Sequence, residues 1–379
     1  MATEDARYRL SSQYRLWSFS PAKLRDLREK TNALVRPHIT ARLAELKPTE
    51  PAPEFLTAEE ETVLLRFFTT ELIRAAIHCD LPTEIRATAA VFLKRFYVTN
   101  SLMTYPPMDL IKTCLFFGGK AEGYFAKLSK LAEKLSDTTE EKILAGEFLL
   151  CQGIRFAFDV RHPFRGLEGA ILELRRQEDI DKPRIDAAHQ QAREILKVSP
   201  LLTDAYFHYA PSQIMLAALS LADRGLAERI INSAFAPTRR EEAGRNADAT
   251  ATEMMHPTSS EIKEKVTAAI EACRDMLATE PPERMETYWG KAESLKLIRP
   301  LLKKLRRCRD PDKADLVELQ RARREWAANA SKEKEAGQDR KKTNAGLALG
   351  EPIGPNEPKR RKVTGPSAAD DVFGGALGQ

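Results

Sequence analysis

The sequence predicts an all-α fold of two tandem five-helix domains with flanking N- and C-terminal helices. Three observations carry that prediction. Apolar residues recur at helical spacing over almost the whole chain before about residue 331. Serine and threonine caps and prolines punctuate the pattern at helix-length intervals. No run of alternating β-branched residues bounded by turn dipeptides competes with it. A length of 379 residues suits two domains with additional segments.

Ser20-Pro21, an N-cap followed by proline at the first helical position, opens a helix through LRDLREKTNALV; its apolar face is narrow and predicts peripheral docking. Pro37, Pro48, Pro51 and Pro53 then break the pattern. Thr57 and Glu60 form a capping-box signature for a helix to about Cys79, with Leu64, Phe68, Leu72, Ala75, Ala76 and Cys79 as its buried stripe. The segment RATAAVFLKRFYVTN after Pro82 is apolar nearly all round, the pattern of a helix enclosed by other helices, and is the expected hub of the first domain. Tyr105-Pro106-Pro107 begins a helix expected to end at Gly118-Gly119, and a shorter one covers about 124–135. Thr138 with Glu141 forms a second capping box, opening a helix through Ile154.

After Val160-Arg161-His162-Pro163 five more helices are expected, over about 164–177, 183–198 or on to 208, 211–223, 226–234 and 259–278. NSLMTYPP before DLIKTCLFF is echoed by LTDAYFHYAP before SQIMLAALSLA, so each half carries a Tyr/Pro loop before its third helix. The expected organisation is an N-terminal segment over 1–56, a first domain over 57–160, and a second over 161–280 containing a polar insertion at 236–258. C-terminal helices over 281–330 and a tail over 331–379 follow. The tail holds eight of the 18 glycines in the 43 residues from Gly337 onward, with several prolines and few large apolar residues, and is expected to be disordered.

Composition excludes several classes of function. Hydrophobic residues at 42% and charged residues at 30% permit a packed core but not a lipid-bathed chain. The net charge of +5 is weak support for nucleic acid as a partner. Five scattered cysteines form no disulfide framework or zinc motif, so a reducing compartment is expected. The N-terminus has no apolar signal core, and the most apolar stretch, Ala205 to Ala222, is interrupted by His208, Pro211, Ser212 and Gln213.

Gly118-Gly119-Lys120 is not a phosphate loop: it follows a helix, and Cys114 and Ala121 stand where that loop needs glycine and Ser or Thr. The six histidines are expected to lie apart from metal-ligating partners, and neither a metal nor another cofactor is expected. The informative oddity is Glu147. Counting 100° per residue along one helix places it amid Ile143, Leu150, Cys151 and Ile154. A carboxylate there must meet a cation, amide donors, or a surface left open for another protein, because burying it unpaired costs several kcal/mol. Lys120, closing the third helix of the same half, is the candidate neighbour. The second half has no such lysine, its third helix ending at Ala222-Asp223.

Other stretches resemble a known family. Ser11-Ser12-Gln13, Arg15, Trp17 and Phe19-Ser20 are similar to the N-terminal signature of the cyclin H family, the cyclins of the TFIIH kinase module. Phe92-Leu93-Lys94-Arg95-Phe96-Tyr97 with Asn100-Ser101 resembles its first cyclin box. Thr203-Asp204-Ala205-Tyr206 and Tyr209-Ala210-Pro211-Ser212-Gln213-Ile214 resemble its second, and the similarity covers about residues 8–330. The resemblance implies tandem cyclin boxes and a regulatory subunit that activates a cyclin-dependent kinase, with a RING-finger assembly factor, in TFIIH. It implies that Lys120 and Glu147 bind the kinase backbone beside its αC helix. Phe117, Leu150 and Ile154 are then expected as an apolar wall against αC, or else as ordinary core. No direct contact with nucleic acid or membrane is expected. The rival is a TFIIB-like cyclin-fold protein on promoter DNA, which wants a basic face on the repeats and a zinc ribbon. In the tail, Lys359, Arg360, Arg361 and Lys362 after Pro358 resemble a nuclear import signal, so a nuclear location is expected.

Overall fold

The computed structural model describes residues 4–49, 51, 53–124, 127–236, 259–285 and 292–329. The import-like motif at Lys359 to Lys362, the tail, and all but the first residue of the 236–258 insertion lie outside them. Among the described residues every regular element is a helix. The described residues to Leu316 form one compact body, and those from Val317 to 329 belong to a second unit. In the second, residues up to 329 are helical, with Trp326 exposed.

The first repeat comprises α4 (Ala58–His78), α5 (Thr83–Thr99), α6 (Pro107–Ala121), α7 (Leu128–Lys134), α8 (Glu140–Ala145) and α9 (Glu147–Gly153). Its capping box is formed: Glu60 N–H donates to Thr57 Oγ1 at 3.1 Å and Thr57 N–H to Glu60 Oε2 at 2.8 Å. Helix α5 is the hub, buried from Ala87 through Val98 and packed on α4, α6 and α9. The second repeat comprises α10 (Phe164–Arg175), α11 (Lys182–Leu202), α12 (Ala205–His208), α13 (Pro211–Ala222), α14 (Arg224–Ala234) and α15 (Ser259–Ala278). Here α13 packs against α10, α11, α14 and α15. After it, α16 (Ala292–Arg307) packs on α4, and Asp310 N–H donates to the Met103 carbonyl at 2.8 Å.

Several boundaries differ from expectation. Two short helices, α1 (Glu4–Leu10) and α2 (Ser12–Trp17), precede the expected first helix. That helix, α3 (Pro21–Leu46), continues through Pro37. Proline removes one backbone donor, but contacts beyond it hold the helix on course. Ile39 is fully buried, and Arg42 grips Asp312 with two hydrogen bonds of 2.6 and 2.7 Å. The cap of α8, the fifth helix of the first repeat, is Thr139, not Thr138, whose hydroxyl instead donates to the Ser136 carbonyl.

The N-terminal segment is not peripheral. Trp17 is 1% exposed, stacked with the Arg95 and Arg155 guanidiniums at 5.5 and 5.7 Å from its ring. Gln13 Oε1 accepts from Arg161 N–H at 2.6 Å, and Phe19 N–H donates to the Phe207 carbonyl at 2.8 Å. Arg28 forms a bidentate pair with Asp204 at 2.8 Å, while Thr31 Oγ1 donates to the Val98 carbonyl at 3.1 Å. Residues 13–31 therefore strap the two repeats together.

Candidate functional site

Helix α6 does not end at its glycines. A Cβ on Gly118 would lie 3.1 Å from Ala89 Cβ and 3.2 Å from both Ala89 N and the Ile85 carbonyl oxygen. The missing side chain lets α6 lie directly on the hub, and the helix continues to carry Lys120 in its last turn, where the helix dipole favours a cation.

Helix continuity also fails where Glu147 was expected at mid-face. In an unbroken helix the Ile143 carbonyl would accept from the Glu147 N–H. Instead Thr113 Oγ1 of α6 donates to that carbonyl at 2.8 Å, and a Cβ on Gly146 would fall 2.7 Å from the same hydroxyl. Gly146 becomes the N-cap of α9, its carbonyl accepting from Leu150 N–H at 2.8 Å. Glu147 is thus the first residue of a new helix, at the end that favours a carboxylate. Its Oε1 accepts from Lys120 Nζ, with the two side chains 25% and 44% exposed. Of the partners open to Glu147, the folded chain supplies the cation.

The expected apolar wall is placed differently. Leu150 and Ile154 are fully buried, so they brace α9 from inside and offer no surface to another chain. Phe117 is 9% exposed and tilts against Phe92 of the hub. The accessible apolar surface comes from aromatic residues that helical periodicity does not single out. Lys120 Nζ lies 5.2 Å from the Phe116 ring centroid and 5.8 Å from that of Phe117. Phe117 meets Phe158 edge-on at 5.2 Å, and Phe158 meets Phe156 at 6.2 Å. Phe148, Phe156 and Phe158 are 56%, 57% and 37% exposed. The sequence signal was the pair of phenylalanines in RFAFDV, just past a helix end.

The turn presenting that ridge is held from the hub. Arg155 and Phe156 adopt φ of 55° and 54°, a left-handed conformation that costs bulky residues about 1–3 kcal/mol each. Phe156 N–H donates to the Cys151 carbonyl at 2.8 Å, and Arg95 donates to the Ala157 carbonyl at 2.9 Å. Burial pulls the Arg95 guanidinium down to about 10. Burial, with the Glu147 carboxylate nearby, pushes the Cys151 thiol up, and burial raises the other four thiols too.

Three histidines do meet acids, contrary to expectation. His162 bridges the repeats: Nε2 lies 2.7 Å from Thr88 Oγ1, and Nδ1 lies 2.9 Å from Tyr206 OH. The same Nε2 lies 3.8 Å from Glu122, and that imidazole, with the Thr88 hydroxyl donating to the carboxylate, holds the Glu122 carboxyl below the usual range. His189 lies 3.0 Å from Glu168. His38 sits 3.7 Å from Asp310 and shares a three-ligand cluster with Asp312, but Arg42 already occupies the Asp312 carboxylate. No described helix is long and apolar enough to cross a membrane.

Residues 162–278 match the family model described as the cyclin C-terminal domain. Cyclin CCL1 of Saccharomyces cerevisiae is 32% identical over 250 residues, which are 62% of this chain and 63% of that protein. The chain therefore spans a little under two thirds of that relative's length. Cyclin-H of Xenopus laevis is 30% identical over 227 residues, 57% of this chain and 69% of that protein. The chain belongs to the cyclin H family. Among solved structures, a chain of the CAK complex of Chaetomium thermophilum bound to ATP-γ-S is 56% identical to this cyclin. It superimposes with a TM-score of 0.76, covering 86% of the cyclin and 96% of that chain. The family and the all-α tandem-box fold expected from the motifs are thus both borne out, and the TFIIB-like alternative is set aside.

Proposed function

We propose that this cyclin is a non-catalytic regulatory subunit that binds and activates a cyclin-dependent kinase of the TFIIH kinase module. The observation that carries this is the half-exposed Lys120–Glu147 pair, at the two positions that the resemblance assigns to kinase contact, lying beside the Phe116, Phe117, Phe158 and Phe156 ridge. A half-exposed ion pair contributes only about 0–1 kcal/mol to the free chain. Opening it is therefore cheap, and both charges are already aimed. On docking, each exchanges its intramolecular partner for backbone groups beside the kinase αC helix, while the aromatic ridge covers apolar surface. Such contacts act as a population shift: they favour the active position of αC only by binding it more tightly than the inactive one.

The partners that follow are the kinase and a RING-finger assembly factor, with the TFIIH core contacted through them. The implied kinase substrates are the polymerase II C-terminal domain and other cyclin-dependent kinases. The cyclin works in the nucleus, brought there by Lys359, Arg360, Arg361 and Lys362.

Purification from cells should yield a kinase and a RING-finger protein in equal amounts with the cyclin. In the purified complex, Glu147→Ala is expected to cost about 2–5 kcal/mol of kinase affinity, as for one partner of a charge pair buried at an interface. The same change should move the melting of the free cyclin by less than about 1 kcal/mol. Unchanged kinase affinity in the folded variant rejects the site. Replacing the four basic residues from Lys359 to Lys362 by alanine should disperse a fluorescent fusion into the cytoplasm without altering kinase binding.

A further inference from the structure

A second surface shares no residue with the Lys120–Glu147 site. The C-terminal half of α3, the start of α4 and α16 with its following loop enclose a cleft of about 1070 Å³. Small-ligand pockets span about 300–1,000 Å³, so this one lies just above that range. Six cations line it: Lys47, Lys303, Lys304, Arg306, Arg307 and Arg309. Lys303, Arg306 and Arg307 are exposed and meet no acidic side chain among the described residues. Arg309 is half-buried, and its Nε is buried without a hydrogen-bond partner. The three carboxylates of the cleft are already matched: Lys304 Nζ donates to Glu60 at 2.9 Å and also to Glu54, and Asp310 lies 3.7 Å from His38 and 3.8 Å from Lys313. The charge left over is positive, and most of it is guanidinium, the group whose fork fits carboxylates two bonds at a time.

The cleft is not uniformly polar. Leu43, Ala44 and Leu301 line it between the cations. A nucleic-acid backbone would leave those side chains uncovered. An acidic peptide with interspersed apolar side chains satisfies both features at once. We propose that this cleft is a docking site for such a segment, rich in Asp or Glu and carried by a partner protein. Apolar side chains of the segment occupy the Leu43–Leu301 floor, and its carboxylates meet Arg306, Arg307, Arg309 and Lys303.

The test is selection of short random peptides by display on the full-length cyclin, followed by fluorescence anisotropy of the best binders at low and physiological salt. Peptides combining acidic and apolar residues should be enriched and should bind less tightly as salt rises. Arg306→Glu with Arg307→Glu should weaken them by about tenfold or more, since charge-assisted contacts become repulsions. Both residues are exposed, so the variant should fold, which circular dichroism checks. Lys182→Glu on α11, outside the cleft, should leave binding unchanged. Enrichment without acidic residues, equal loss in the Lys182→Glu control, or duplex DNA displacing the peptide as the tighter ligand would each overturn the proposal.

Discussion

Asp204 shows how much rests on one buried carboxylate. Lys94, 7% exposed on the hub helix, lies 3.6 Å from it and donates to the neighbouring Thr203 carbonyl, while Arg28 of the strap holds both of its oxygens. Burial alone would raise the Asp204 carboxyl, but Lys94 and Arg28 together hold it well below the ordinary carboxylate range. Burial pulls the Lys94 ammonium down to about 8, against the attraction of Asp204. Asp204→Asn leaves that ammonium without its counter-charge and is expected to cost about 3–5 kcal/mol at neutral pH. The sign in acid follows from linkage. With its folded pKa depressed, Asp204 contributes stability that is fully present above about pH 4 and lost as pH falls below it, because the unfolded chain takes up the proton first. Urea denaturation from neutral pH to about pH 2 should therefore show a shallower acid loss in Asp204→Asn than in the parent. An equal slope in the two proteins would falsify the role given to this carboxylate.

Among the elements, the contact between α5 and α6 sets the position of Lys120. Gly118→Ala gains about 1 kcal/mol of helix propensity but overpacks by about 1–3 kcal/mol. Overpacking should win, because two of the three atoms it meets, Ala89 N and the Ile85 carbonyl oxygen, are backbone and cannot rotate away. A lower Tm together with weaker kinase binding is the expected result, and an unchanged Tm would show that the helices part without cost. The same contact explains what sequence could and could not reveal. Periodicity found the hub α5, the capping box at Thr57 and most helices of both repeats, because these depend on local pattern. It misjudged Gly118 and Gly119, which end helices in isolation but here serve close packing. It also ran one helix through Gly146, since the Thr113 hydroxyl that accommodates the break lies 30 positions away in the chain from the Ile143 carbonyl it meets. Placing Glu147 mid-face followed from that error, yet its pairing with Lys120 was still anticipated. The aromatic ridge went unnoticed because exposed phenylalanines beyond a helix end carry no period.

Across the whole molecule, the strap formed by residues 13–31 makes the two repeats one cooperative body. Trp17→Ala removes a buried indole and is expected to cost about 3–5 kcal/mol. It also leaves Arg95 and Arg155 without their stacking partner. Calorimetry should then resolve two melting steps where the parent shows one; a single step at reduced Tm would mean the repeats hold together without the strap. That arrangement imposes an order on birth as well as on melting. The strap is made well before it can find its place, since Phe19 has no Phe207 to bond until the second repeat has been made. Throughout that interval Phe19 and Arg28 lack Phe207 and Asp204, so chains halted before the second repeat should be held by chaperones at the strap.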